Sequence, residues 1–164
     1  MAPDRAEGAA GAESPGSRRL APLWVAVFLA ASALYLTTAQ RTVSWQDSGE
    51  YQYRVLIGAY RHHTGLARAH PGYIAAARAL AAVPIGGFAW RAGAFSGLAM
   101  AAALANLAAL TALLTGRRWV GAAAAGMLMV THATWWLSTV AEVYTFSVAG
   151  LTAASATAGC LGLG

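Results

Sequence analysis

Residues Leu20 to Ala39 contain no charged side chain, and neither do Ala92 to Gly116 or Trp119 to Ala141. A helix crosses the bilayer's hydrocarbon in about 20 apolar residues, because an unpaired backbone N–H or C=O has no water to bond there. Runs of this length therefore leave the chain few options besides transmembrane helices. Val143 to Gly164 makes a fourth uncharged run. Only 10% of the 164 residues are charged, against about 25% in soluble domains. The expected fold is all-α: a polytopic membrane protein of about four spans, at 20–39, 92–116, 119–141 and 143–164.

Residues 1–19 have a different composition. The stretch MAPDRAEGAAGAESPGS is small and polar without periodicity, and it reads as a disordered tail ending at Arg18-Arg19. The first apolar run exceeds the 7–15 residues or so of a signal-peptide core, which favours an uncleaved anchor. Gly93 and Gly97 are four apart, a spacing that lets helix backbones approach closely. Asn106 and His132 fall inside spans and are expected to hydrogen-bond between helices. The single cysteine, Cys160, excludes an internal disulfide and any cysteine-pair metal site.

The first loop, residues 40–91, is neither a span nor a simple linker. Glu50 to Arg61 has helical spacing, with Tyr53, Leu56, Ile57 and Tyr60 on one side. Residues 73–83 form a second short apolar helix, ended by Pro84-Ile85-Gly86-Gly87. Both are too short to span and are expected at the interface, apolar face toward lipid. All 11 basic residues are arginine, and they lack the basic stripe interleaved with aromatics that nucleic-acid binding uses. Arginine doublets 18–19 and 117–118 favour one orientation by the positive-inside rule, while six arginines in the first loop favour the other.

The six acids are more informative than the bases. Asp4, Glu7 and Glu13 belong to the tail; Asp47 and Glu50 begin the first loop; Glu142 joins the third and fourth runs. Four alternating spans put both loops in one compartment, so every acid of the folded part collects on one membrane face, with His62, His63 and His70. Asp47 and Glu50 also have capping-box spacing, in which Asp47 caps a helix and Glu50 reaches back to its N–H. Tyr144 beside Glu142 suits an interfacial anchor. His62-His63 reads as a polar loop pair, since no spacing matches a ligand set.

Four motifs occur in order: WQDSGEY (Trp45 to Tyr51), AHPGY (Ala69 to Tyr73), PIGGFAWRAGAFS (Pro84 to Ser96) and AEVYTFS (Ala141 to Ser147). Together they resemble a bacterial membrane family of formerly unknown function, related to the transmembrane protein O-mannosyltransferases of the GT-C fold. Asp47 and His70-Pro71 match that family's loop acid and His-Pro motif in order, although Gly72 stands where a second proline is common and Gly93 where an asparagine is. The resemblance implies a glycosyltransferase that moves a mannose-like sugar from a polyprenyl-phosphate donor to a hydroxyl on a protein or glycan acceptor. It also implies a plasma-membrane location with the first loop outward and the N-terminus cytoplasmic. GT-C enzymes carry many more spans, so this chain corresponds to their N-terminal part.

Such transfer needs a base for the acceptor hydroxyl, cations for the leaving phosphate, and a site at the membrane interface. Asp47 is the expected base and Glu50 its partner or an orienting group. Arg54, His70 and Arg91 are expected to hold phosphate, and Glu142 and Tyr144 to line the sugar or acceptor site. Arg54 has a second option, an i,i+4 pair with Glu50. Arginine neutralisation of a phosphate leaving group needs no metal, and no cofactor is expected. The competing reading is a non-catalytic membrane piece, scaffold subunit or transporter fragment. Transporters keep charges near the bilayer midplane, whereas these carboxylates lie at span ends.

Overall fold

A computed structural model describes residues 15–65 and 68–161, which hold seven helices and no strand. These are α1 (Pro15–Thr38), α2 (Gln46–Ile57), α3 (Pro71–Ala81), α4 (Phe88–Thr115), α5 (Arg118–Met129), α6 (His132–Thr139) and α7 (Val143–Leu161). The stretch read as tail lies outside the described residues up to position 14, and its last residues, 15–19, already belong to α1.

Two helices are long and apolar enough to cross a membrane, Leu20–Thr38 and Phe88–Thr115, each with mean hydropathy 1.9. α5 and α6 add a third crossing if they count as one broken span. The continuous helix expected over 119–141 is thus corrected to two helices bent by 69°. The break has a local cause. Thr131 takes an extended conformation, with its hydroxyl 2.9 Å from the Leu128 carbonyl and 2.9 Å from the Thr134 hydroxyl. Such side-chain bonds compete with the helical ladder. One carbonyl at the end of α5 is satisfied from outside, since the Tyr35 hydroxyl donates to Met129 O at 3.0 Å. α7 has 19 residues, but Thr145, Ser147, Thr152, Ser155 and Thr157 dilute its apolar character.

α4 is the central element, packed by α1, α5, α6 and α7. Close approach depends on missing side chains, as the Gly93/Gly97 spacing led us to expect. A Cβ on Gly97 would sit 3.0 Å from Ser138 O and 3.1 Å from Tyr35 Cβ; one on Gly121 would sit 2.2 Å from Ala108 O. The seams fill with Val27, Ala31 and Tyr35 from α1 and Met100, Leu104 and Ala108 from α4. Asn106 bonds between helices as expected: it accepts from Trp24 Nε1 at 2.7 Å and donates to Thr152 Oγ1 at 3.4 Å. His132 does not. It is exposed at the α5–α6 break and packs against the Trp135 ring.

A second core belongs to the first loop. Val55 of α2, Tyr73, Ile74 and Ala77 of α3, and Val143 of α7 bury together, with Tyr51, Phe88 and Phe95 against them. The loop helices are thereby anchored on α4 and α7. On the opposite side of α2, Tyr53, Leu56 and Ile57 are exposed, the apolar face that the sequence periodicity predicts. The helix expected to reach Arg61 ends at Ile57, where Gly58 turns left-handed, so Tyr60 lies beyond it, exposed as well.

Candidate functional site

The site begins with how α2 starts. Gln46 has φ 55, a left-handed conformation uncommon outside glycine. The next turn needs Gly49, because a Cβ there would lie 2.3 Å from the Ser44 carbonyl oxygen. Gln52 closes the entry by accepting from Ser44 N–H at 3.0 Å. The expected capping box is corrected by this geometry. The N-cap is Trp45, without a side-chain cap bond, and Asp47 sits in the first helical turn. The helix dipole favours a carboxylate there, and Asp47 is left exposed.

Asp47 stands between two cavities. On one side a cavity of about 120 Å³ is lined by Glu50, Tyr51, His62, Arg68, His70 and Tyr144 as well as Asp47. On the other, a cleft of about 220 Å³ joins Asp47 to Trp45, Ser48, Trp136 and Glu142. Of the residues the sequence nominated, Asp47, Glu50, Arg54, His70 and Tyr144 line the first cavity and Glu142 the second, so one carboxylate connects them.

Glu142 is held on both ends. Its backbone N–H donates to Ser96 Oγ at 2.8 Å, and Ser96 Oγ donates back to its carbonyl at 3.1 Å. The Ser48 hydroxyl donates to its carboxylate at 2.9 Å. Burial pushes the Glu142 carboxyl above the usual range; the Ser48 bond pulls it down, and the Asp47 charge pushes it up again. The Tyr51 phenol is also raised, first by burial and then by the Glu142 and Asp47 carboxylates. The two acids therefore share one electrostatic neighbourhood.

Glu50 has a partner that sequence reasoning did not assign. Thr64 N–H donates to His62 Nδ1 at 3.0 Å, which puts the ring proton on Nε2 in the neutral tautomer, 2.7 Å from Glu50 Oε1. His62 also stacks on His63 with centroids 4.3 Å apart. His70 caps α3 in a left-handed conformation, φ 43, ahead of Pro71, and meets Tyr51 edge-on. Gln46 and His70 are the two non-glycine residues of positive φ among those described, and both flank this site. Strained backbone clusters at functional sites.

Two nominated phosphate ligands behave differently from expectation. Arg54 is buried, and its guanidinium donates to the carbonyls of Ala59 at 3.3 Å, of Arg68 at 3.0 Å and of Ala69. Its second expected role is met, since Arg54 Nη1 and Glu50 Oε1 form the i,i+4 pair at 4.0 Å. Arg54 clamps Ala59 to the Arg68-Ala69 backbone, and among the described residues the exposed arginine lining the cavity is Arg68. Arg91 is elsewhere. It donates to Val83 O at 2.8 Å and lines an apolar pocket between α1, α3 and α4. It lies in the first turn of α4, and its side chain lines a pocket with Leu36, Leu80 and Leu98, outside the Asp47 cavity.

Comparison with family models, with curated proteins and with solved structures found no match for this chain.

Proposed function

We propose that the chain is the N-terminal part of a GT-C-type membrane glycosyltransferase, with four spans and the 40–91 loop facing outward. Its substrates are a polyprenyl-phosphate-linked sugar and an acceptor hydroxyl. The observation that carries the reading is Asp47, one exposed carboxylate lining both a polar cavity with Arg68 and His70 and an aromatic-walled cleft with Glu142.

In this reading the Asp47 carboxylate takes the proton of the acceptor hydroxyl. The oxygen bonds to the sugar's anomeric carbon, and the carbon–phosphate oxygen bond breaks with its electron pair on the phosphate. Arg68 supplies a guanidinium fork for that phosphate, and His70 a second donor. Glu50, oriented by His62, sets the position of the cavity wall; Arg54 fixes the loop that carries Arg68 and His70. Glu142, Trp45 and Trp136 line the sugar and acceptor side, and Tyr144 lines the phosphate cavity. The apolar face of α2 suits a site at the bilayer surface, where a donor with a lipid tail has to react.

The test is incubation of membranes carrying the full-length protein with radiolabelled polyprenyl-phosphate mannose. Label transferred to protein or glycan above that of control membranes supports the reading; no transfer from any polyprenyl-phosphate sugar removes it.

A further inference from the structure

The PIGGFAW segment, which the proposed chemistry leaves unused, forms a groove. It is a cavity of about 370 Å³ between the end of α1 and the start of α4, walled by Leu36, Ile85, Gly86, Gly87 and Trp90, with Arg41 at its rim. A smaller pocket of about 100 Å³ continues from it past Leu36, Ile85 and Trp90 to Leu80, Val83 and Leu98. The two share three residues, so they form one slot that opens at Arg41 and runs inward between apolar side chains, with Arg91 on its inner wall.

Three observations identify its occupant. The groove opens where α1 ends, beside Leu36 and Thr37 and just past the last residue of the span Leu20–Thr38, which is headgroup depth. Among the described residues its charges are all positive: Arg41 is exposed at the mouth, Arg91 lines the inner wall, and no carboxylate lines either part. The Arg91 Nε is buried without a hydrogen-bond partner among the described residues. The wall itself is fixed, since Trp90 Nε1 donates to Leu36 O at 3.0 Å and pins α4 to α1. An apolar slot with arginine at headgroup level matches an anionic lipid, with phosphate outside and acyl chain within.

We propose that this groove holds one anionic phospholipid, its phosphate on Arg41 and an acyl chain along Leu36, Ile85 and Trp90. The site is separate from the Asp47 cavity and stands whether or not the chain transfers sugars. Bound there, the lipid bridges α1 and the α3–α4 turn and holds the first loop against the bundle.

The experiment is native mass spectrometry of the full-length protein in detergent, titrated with phosphatidylglycerol or phosphatidylcholine. One phosphatidylglycerol is expected to stay bound at concentrations about 10-fold below those needed for phosphatidylcholine, an arginine–phosphate preference of about 1.4 kcal/mol. Arg41→Gln, an exposed change, should abolish the preference. Gly87→Leu should abolish retention of both lipids. Gly87 is extended, with φ −76, and nothing lies within 4 Å of an added Cβ, so leucine fills the mouth without straining the backbone. Equal retention of the two lipids overturns the proposal, as does an unchanged preference in Arg41→Gln or unchanged retention in Gly87→Leu. Stoichiometric displacement of phosphatidylglycerol by a polyprenyl phosphate also overturns it, because the groove would then belong to the carrier lipid.

Discussion

The Ser48 hydroxyl donates to the Glu142 carboxylate at 2.9 Å across 94 residues of sequence. This bond ties the first turn of α2 to the turn between α6 and α7, and it sets one wall of the cleft beside Asp47. Ser48→Ala would leave a half-buried carboxylate without its donor, at a cost of about 1–3 kcal/mol. The same change removes the one influence that lowers the Glu142 pKa. We expect a lower unfolding temperature in detergent and a higher carboxyl protonation midpoint by infrared titration. An unmoved midpoint would show that the hydroxyl does not act on the carboxylate.

Glu142 also gives the fold a pH dependence of definite sign. Its folded pKa lies above the ordinary 4.5, so between those two values the folded state binds more protons than the unfolded state. Stability from this group is present below pH 4.5 and is lost as pH rises through the raised value. Glu142→Gln keeps an acceptor for Ser48 and removes the titration. Thermal unfolding of the wild type should lose stability over this window relative to Glu142→Gln, and parallel pH curves would refute the assignment.

Gly49 tests the entry of α2. An added Cβ would sit 2.3 Å from a backbone oxygen, that of Ser44, which cannot move like a side chain. Gly49→Ala should destabilise by about 1–3 kcal/mol, as overpacking does, and should expose the first loop to protease. Gly126→Ala is the control. It is inside α5 with nothing within 4 Å, and alanine there should be neutral or gain up to about 1 kcal/mol.

Arg54 distinguishes a clamp from a ligand. Its guanidinium reaches three carbonyls in the 59–69 stretch, and a lysine cannot reproduce that fork. Arg54→Lys should speed hydrogen exchange across residues 58–70 with no substrate present. Unchanged exchange would return Arg54 to the list of free cations.

How much of this was legible in the sequence depends on the distance over which each signal acts. The Gly93/Gly97 spacing and the apolar side of α2 are local periodicities, and both take the expected form. Asp47 and Glu142 line one cleft, a grouping that the order of the apolar runs led us to expect. The i,i+4 pair of Arg54 with Glu50 was legible, but the clamp role of Arg54 and the place of Arg91 were not, because their acceptors are backbone carbonyls, which carry no residue-type signature. The α5–α6 break was hidden inside an uncharged run, since one threonine hydroxyl is invisible to hydropathy. The spacing of Asp47 and Glu50 fits a capping box, but Gln46 in a left-handed conformation moves the helix start. Glu50 then faces His62, a pairing that the turn after α2 creates.

The most direct test of the catalytic reading is sugar transfer by Asp47→Asn in the full-length protein. Asparagine keeps the shape of the first turn of α2 and loses the carboxylate. With the variant present in membranes at wild-type level, transfer from labelled polyprenyl-phosphate mannose should fall by about 10²–10⁴-fold, the usual contribution of a general base. Transfer within a few-fold of wild type would contradict the account and leave Asp47 as a surface acid at a helix start.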